Sequence, residues 1–353
     1  MLDELRDKFD GERLNKFVEL AVKGTSADSS GISLAGTRRV AIVLTTKCNL
    51  ECVWCHREEK SIIESGYLEN EMDFDVYLSL LPKLRDFDLI HFGGLGEPLL
   101  YKKIYEAIYE AKKFVSTVKV TTNGTPLVNT VNKKIAQSGL DILEVSIDGF
   151  DGITNKKFRG VSEDEIIRKL ESLSKESDIK LQVNVVVSEN NIDGLMGAVD
   201  KLKNVENLAV IHTIPLFMTE HMESLNISRA SLSRYKALLE KIESDLRANN
   251  LATITQPNSN NLEVDPVILL KKTRNICFTP YEDVMINVKG NLVPCGRLQH
   301  YDLGSVLDAP IEEVWQGEKF SKWRRSQLKG DYCADCVREC DMRSNSLIHT
   351  SRG

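Results

Sequence analysis

Much is missing from this sequence, and each absence removes a class of function. No apolar run approaches the ~18 residues that a membrane span requires. The first ten residues mix acids with bases and lack the apolar core and small-residue cleavage site of a secretory signal. There is no basic excess: 46 Lys and Arg stand against 52 Asp and Glu, and no Lys/Arg run forms a nucleic-acid footprint. P-loop and dinucleotide fingerprints are absent, as are a recognisable Ser/His/Asp arrangement and any low-complexity tract. Of only six histidines, His56 beside Cys55 and His212 at a strand end are placed near candidate chemistry, and packing or capping explains each as well. These absences predict a cytoplasmic protein with no membrane and no nucleic-acid partner.

What remains is a 353-residue chain with 42% hydrophobic residues, enough for a large core and for one big domain with an appendage or two to three ordinary ones. Residues 1–23 place Leu2, Leu5, Phe9, Leu14, Phe17, Val18 and Ala21 at helical spacing, and the small, polar residues 24–36 read as a linker. From Arg39 short β-branched runs alternate with charged helical stretches. Strands are expected at 40–45, 88–92, 118–122, 142–147, 181–187 and 208–214. Helices are expected at 75–84, 102–114, 131–138, 163–175 and 194–202. This predicts a parallel α/β repeat, either a partial barrel or an open doubly wound sheet, with ligands at the strand C-terminal ends. After a helix at 231–249, the polar stretch 256–261 marks a boundary, and VMINVKGNLVPC reads as a hairpin turning at Lys289-Gly290-Asn291. The chain divides into an extension (1–38), a core (39–250) and a small cysteine-rich domain (251–353).

A reducing compartment makes structural disulfides rare and turns eight cysteines toward metal binding or thiol chemistry. Directly after the first strand comes TTKCNLECVWCHRE, with Cys48, Cys52 and Cys55 spaced CxxxCxxC. Three thiolates fit poorly to a structural zinc, which takes four ligands, whereas an iron–sulfur cubane held by three keeps one iron open. The loop resembles that of the radical S-adenosylmethionine (SAM) enzymes, CxxxCxΦC with an aromatic at Φ, here Trp54. The resemblance implies a partial (β/α)6 TIM-type barrel. It further implies a 4Fe–4S cluster on Cys48, Cys52 and Cys55, SAM chelating the fourth iron through its amino and carboxylate groups, and Trp54 near the adenine. HFGGLGEPLL, with Gly93, Gly94, Gly96 and Glu97, is similar to the family's GGE motif that meets the SAM amino group; Leu95 interrupts the glycines and leaves open which carbonyl does so. SIDGFDG and KKFRG resemble family strands whose polar ends contact SAM, which nominates Ser146, Asp148 and Arg159. Asn123 and Asn184 are further SAM-contact candidates, equally readable as a turn residue and a strand polar.

Cys277, Cys295, Cys333, Cys336 and Cys340 lie in the last part of the chain. Their CxxC pair alone is compatible with a zinc ribbon. Beside a radical SAM core it resembles the twitch and SPASM extensions that carry auxiliary 4Fe–4S clusters. Five cysteines rather than the seven of a full SPASM set imply one auxiliary cluster on Cys277, Cys295, Cys333 and Cys336. Cys340 is left as an alternative ligand, a bystander or a hydrogen-atom donor.

The resemblance implies reductive SAM cleavage to a 5′-deoxyadenosyl radical, with electrons from a small donor such as flavodoxin or ferredoxin, and hydrogen abstraction from a substrate. Dehydrogenation through the auxiliary cluster, epimerisation through Cys340, and decarboxylation or elimination all remain open. Only about 38 residues precede the first strand, too few for a peptide-leader module of domain size. That favours a small polar metabolite, such as a sugar, aminocyclitol or nucleoside of natural-product or antibiotic biosynthesis. Peptide maturation, protein maturation like that of the sulfatase maturases, and a non-catalytic metal-thiolate protein are the alternatives.

Overall fold

The structure, a computed structural model, describes residues 39–216, 229–249, 251, 253–255, 280, 283–329, 333, 335 and 336. The helices and linker expected at 1–36, Cys277 and Cys340 lie outside the described residues.

Among the described residues the organising element is an all-parallel sheet of eight strands: β1 Arg39–Ile42, β2 Leu89–Phe92, β3 Thr117–Thr122, β4 Ile142–Ser146, β5 Lys180–Val187, β6 Leu208–Pro215, β7 Thr253–Thr255 and β8 Val284–Ile286. Their spatial order is β7-β6-β5-β4-β3-β2-β1-β8. Strands β1 to β6 therefore follow one another in space as in sequence. A doubly wound sheet reverses direction at a switch point, whereas a barrel wall never does. The order selects the partial barrel, and the chain is an α/β protein of that type. The short strands β7 and β8 extend its two edges, so the sheet does not stop at residue 250. Past β8 the expected hairpin is present: Ile286 bridges Leu292 antiparallel, and Gly290 takes φ +76° at the turn.

The helices are α1 Lys60–Glu64, α2 Phe74–Leu80, α3 Ile104–Ala111, α4 Asn129–Gln137, α5 Thr154–Arg159, α6 Glu163–Glu176, α7 Ala198–Leu202 and α8 Arg229–Ala248, followed by α9 Ile311–Gln316 and α10 Glu318–Lys329; all but α1 and α5 bury apolar residues in the core of the sheet. On α6 the residues Ile166, Ile167, Leu170 and Leu173 recur at helical spacing and are buried in the same core as Val120, Val145 and Val183 of the strands. Each such side chain contributes roughly 1.5–3 kcal/mol by leaving water. Asp73 starts α2 by accepting from the backbone N–H groups of Asp75 and Val76.

The other face of the sheet is different. Along β3 and β5 every second residue is only half-buried, and those residues include Lys119 and Thr121, then Gln182 and Asn184. A parallel sheet covered on both faces reads as a continuous apolar run. Here the alternation gives the barrel a polar inner wall beneath the mouth where the cysteine loop lies.

Candidate active site

The loop after β1 carries Cys48, Cys52 and Cys55, with Cys52 buried and the other two half-buried. It is tied to the barrel by backbone bonds: Met72 N–H to Leu44, Glu97 N–H to Lys47, and Val53 N–H to Phe158. A Cys55 N–H to Cys52 O bond of 2.9 Å closes the turn between the last two thiols. Trp54 packs in a small cluster with Phe158 and Leu216, its ring centroid 4.5 Å from that of Phe158. It fixes the loop against α5. Burial pushes the Cys52 thiol up to about 11, against the pull of Arg159.

Arg159 is delivered by local sequence logic. Asp151 caps the segment before α5 by accepting from Ile153 and Thr154 N–H, and α5 ends at Gly160 with φ +80°, whose N–H returns to Lys156 O. The helix thus stops one residue after Arg159, whose Nη1 donates to Asp148 Oδ2 at 2.8 Å. Asp148 is fully buried, and its Oδ1 accepts from Val186 N–H at 2.7 Å. Through these two bonds Asp148 orients Arg159.

Glu97 is held by a similar set of bonds. It is buried, Oε1 accepting from Thr122 Oγ1 (2.7 Å) and Leu99 N–H (3.0 Å) and Oε2 from Asn123 N–H (2.6 Å). These bonds brace the glycine loop against the end of β3. Gly96 is required by close approach, because a Cβ there would lie 2.2 Å from Thr45 O. Gly94 has φ +137°, and Gly93 lies over His91.

The remaining candidates line the mouth. Asn123 directs its Nδ2 to Asn49 Oδ1 at 3.0 Å and toward Cys48 Sγ at 3.9 Å. Ser146 and Asn184 are register partners on adjacent strands, and His212 is the partner of Asn184 on the next. Burial lowers the pKa of His212.

SAM on a cluster needs three thiolates, a cation for its carboxylate and acceptors for its donors. The buried Nε of Arg159 and Oδ1 of Asn184 have no hydrogen-bond partner, and Arg159 lies close enough to Cys52 and Cys55 to interact with both electrostatically. A buried guanidinium with one N–H left over, beside Cys52 and Cys55, fits an anionic chelate. Among the described residues no three His, Cys, Asp or Glu side chains converge on one ion.

In the C-terminal part, Cys336 N–H donates to Cys333 Sγ at 3.2 Å, and hydrogen bonding from Cys336 brings the Cys333 thiol down to about 6. Tyr301 Oη donates to Asp335 at 2.9 Å, packing the segment after Cys295 against this pair. A thiol ready to ionise suits an iron ligand.

Several residues of the site escape the motifs. On the inner wall Lys119 Nζ donates to Glu144 Oε2, Thr121 Oγ1 donates to Glu144 Oε1 at 2.8 Å, and His91 Nε2 lies 2.7 Å from Thr121 Oγ1. The Thr121 hydroxyl has one proton and gives it to Glu144, so it accepts from a His91 Nε2–H. Burial pushes His91 down to about 4 and keeps it neutral at pH 7. Burial works against ionisation of Glu144, but Lys119 outweighs it and holds the carboxyl below its usual range. The signal for this layer is the polar alternation in KVTT, ILEVS and LQVN. Gln299 and Arg297, which reach the mouth from beyond Cys295, have no sequence signal.

A single-wound partial barrel with three thiols and a buried arginine at its mouth defines an iron–sulfur barrel enzyme. The model of the radical SAM superfamily matches residues 42–202, and that of the iron-sulfur cluster-binding domain called SPASM matches 277–337, together more than half of the chain. The chain belongs to the radical SAM superfamily and carries a SPASM-type domain. Its cofactors are those of this architecture, SAM on a 4Fe–4S cluster and auxiliary iron–sulfur.

Curated relatives include a "tungsten-containing aldehyde ferredoxin oxidoreductase cofactor-modifying protein" of Pyrococcus furiosus, 25% identical over 85% of this chain and 86% of that one. An "AdoMet-dependent heme synthase" of Methanosarcina barkeri is 26% identical over 85% and 88%. A "probable GTP 3',8-cyclase" of Methanopyrus kandleri is 30% identical over 58% and 66%. Among solved structures, Streptococcus suis SuiB bound to precursor peptide SuiA covers 96% of this chain and 77% of its own, with TM-score 0.66 and 15% identity. Native anSMEcpe with bound AdoMet covers 87% and 90%, with TM-score 0.62 and 16% identity. At these identities the structures support the fold alone. Among the described residues no helix is long and apolar enough to cross a membrane.

Proposed function

We propose that this radical SAM enzyme abstracts a hydrogen atom from a small polar metabolite and completes a dehydrogenation or an epimerisation. The observation that carries the choice of substrate is the polar inner wall: the Lys119–Glu144 pair, Thr121, His91 and Gln182 lie below the mouth. Such a lining matches hydroxyl, amino and carbonyl groups and opposes a bulky apolar side chain. The names of the curated relatives speak of nucleotide, haem and cofactor chemistry, which supports the same reading.

When bound, SAM at the reduced cluster supplies a carbon-centred radical that takes a hydrogen atom from an unactivated C–H bond. The chain contributes the rest. Arg159, oriented by Asp148, holds the SAM carboxylate, and Ser146 and Asn184 offer hydrogen bonds at the barrel mouth. Ionised Glu144 is the acceptor for the proton that leaves when a substrate is oxidised, and neutral His91 orients Thr121, which donates to it. Cys277, Cys295, Cys333 and Cys336 would hold the auxiliary iron, which would supply a site for the second electron of a dehydrogenation, and flavodoxin or ferredoxin would be the source of the priming electron. Cys340 is the thiol for an epimerisation.

Peptide modification is the second reading, favoured by the likeness to SuiB across both the core and the C-terminal domain. The two separate by experiment. Reconstituted protein is incubated anaerobically with SAM, dithionite and deuterated sugars, aminocyclitols, nucleosides or peptides, and 5′-deoxyadenosine is read by mass spectrometry. Deuterium transferred from a small polar compound supports the first reading; transfer from peptides alone overturns it.

A further inference from the structure

The segment Cys295-Gly296-Arg297-Leu298-Gln299 leaves an auxiliary-cluster position and reaches both loops of the primary site. Gln299 is 1% exposed, and its Oε1 accepts from the backbone N–H of Leu95, inside the glycine loop, at 3.3 Å. Its Nε2 turns back to Gly296 O at 2.7 Å, which fixes the amide orientation and so the acceptor facing Leu95. Its own carbonyl accepts from Asn287 Nδ2 at 3.0 Å, anchoring it to the hairpin behind β8. A Cβ on Gly94 would come within 3.0 Å of both Gln299 side-chain polar atoms, so the two loops are in direct contact.

Two residues earlier, Arg297 Nη1 lies 3.3 Å from His56 Nδ1 and 3.8 Å from Glu59 Oε1. His56 gives its Nδ1 proton to Glu59, so the guanidinium acts as counter-charge to the carboxylate rather than as donor to the ring. Glu59 has no exposed side-chain surface, and His56 follows Cys55 directly. Within five residues the C-terminal domain therefore touches the loop expected to meet the SAM amino group and the end of the loop that carries the three thiols.

We propose that this segment is a clasp that couples the auxiliary site to SAM binding, with Gln299 and Arg297 as positioning residues. Iron held at Cys295 fixes the segment, the segment fixes the Leu95 backbone, and the glycine loop is then set for SAM. The inference rests on the assignments of the auxiliary ligands and of the glycine loop made above. It makes the C-terminal domain a determinant of SAM affinity as well as an electron acceptor.

The test is SAM affinity in the anaerobically reconstituted full chain, measured by calorimetry and by the change that SAM causes in the electron paramagnetic resonance spectrum of the reduced primary cluster. Gln299→Leu keeps the volume and removes the acceptor. It is expected to weaken SAM binding about fivefold, the scale of one buried hydrogen bond, while iron content stays at the wild-type value. The Cys333→Ala/Cys336→Ala chain is expected to lose the auxiliary iron only and to bind SAM more weakly. Gln299→Leu added to that chain is expected to weaken it by much less than fivefold, because the clasp is already released. Arg297→Met, at a partly exposed position, gives a second entry to the same measurement if Gln299→Leu does not fold. SAM affinity within twofold of wild type for the variant with full iron, or full additivity in the combined chain, overturns the clasp. Loss of no iron in Cys333→Ala/Cys336→Ala would instead overturn the auxiliary-ligand assignment beneath it.

Discussion

Arg159 donates to Asp148 at 2.8 Å in a site where the carboxylate is sealed from water, and a second acid oxygen is held by the backbone of Val186 on the neighbouring strand. The pair joins the end of β4 to the end of α5 and stands beside the cysteine loop. It converts a barrel edge into a fixed cationic donor.

Replacing Asp148 tests that relationship. Asp148→Asn keeps the shape but loses the counter-charge and places an N–H group toward existing donors. SAM affinity should fall at least tenfold with iron content unchanged, measured by titration of the reconstituted protein. Asp148→Ala, which strands a buried guanidinium, should also cost about 3–5 kcal/mol of stability in denaturant unfolding. Unchanged SAM affinity in Asp148→Asn would show that Arg159 does not depend on it.

Gly96→Ala should be far more damaging than Gly66→Ala. At Gly96 the new Cβ meets the Thr45 carbonyl oxygen at 2.2 Å, and backbone must move; at Gly66 it meets nothing, although φ is +64°. The expected losses are about 2–3 kcal/mol at Gly96, from overpacking, and about 1 kcal/mol at Gly66, from backbone conformation alone. Parallel unfolding curves check the difference, and equal midpoints would contradict the close approach.

How far the sequence carries is visible in these same residues. The six core strands follow from β-branched runs and lie within a few residues of where those runs put them. Their spatial order does not follow, because alternating βα units serve a barrel and a doubly wound sheet alike; only the pairing of β1 through β6 decides. The short α1, α5 and β7 lack a full period of apolar residues and give no signal. Glu97 and Asp148 are legible as site residues from their motifs, but their bonds to Thr122, Asn123 and Arg159 are not, since those partners come from other strands and a following helix. The Lys119–Glu144 layer was present as alternation in three strands, and it became chemistry once register placed the strands side by side.

Glu144→Gln and Lys119→Met should separate radical generation from turnover. Neither residue lies on the cysteine or glycine loops, so SAM cleavage without substrate should stay within about threefold of wild type. Substrate-dependent product formation should drop by tenfold or more, the scale of a lost proton acceptor. Proportional loss of both activities would place this layer outside substrate handling.

The inner wall also predicts a pH signature. His91 has a folded-state pKa near 4, below the ordinary 6.5, because burial disfavours its cation. A depressed folded value means that the unfolded chain takes up protons first, so stability present above pH 6.5 declines as pH falls from there toward 4. Between pH 7.5 and 5.5 the loss from this residue is about 1.4 kcal/mol. Unfolding at the two pH values should therefore differ less for His91→Gln than for wild type by about that amount. An identical pH response in both proteins would remove His91 as the cause.

The central claim is that Cys48, Cys52 and Cys55 with the barrel mouth form the radical-generating centre. It is tested most directly by anaerobic incubation of the reconstituted wild type and of the Cys48→Ala/Cys52→Ala/Cys55→Ala chain with SAM and dithionite, reading 5′-deoxyadenosine by mass spectrometry. Wild type should form it, and the triple variant should form none while keeping the auxiliary iron absorption. Continued 5′-deoxyadenosine formation by the triple variant would contradict the account.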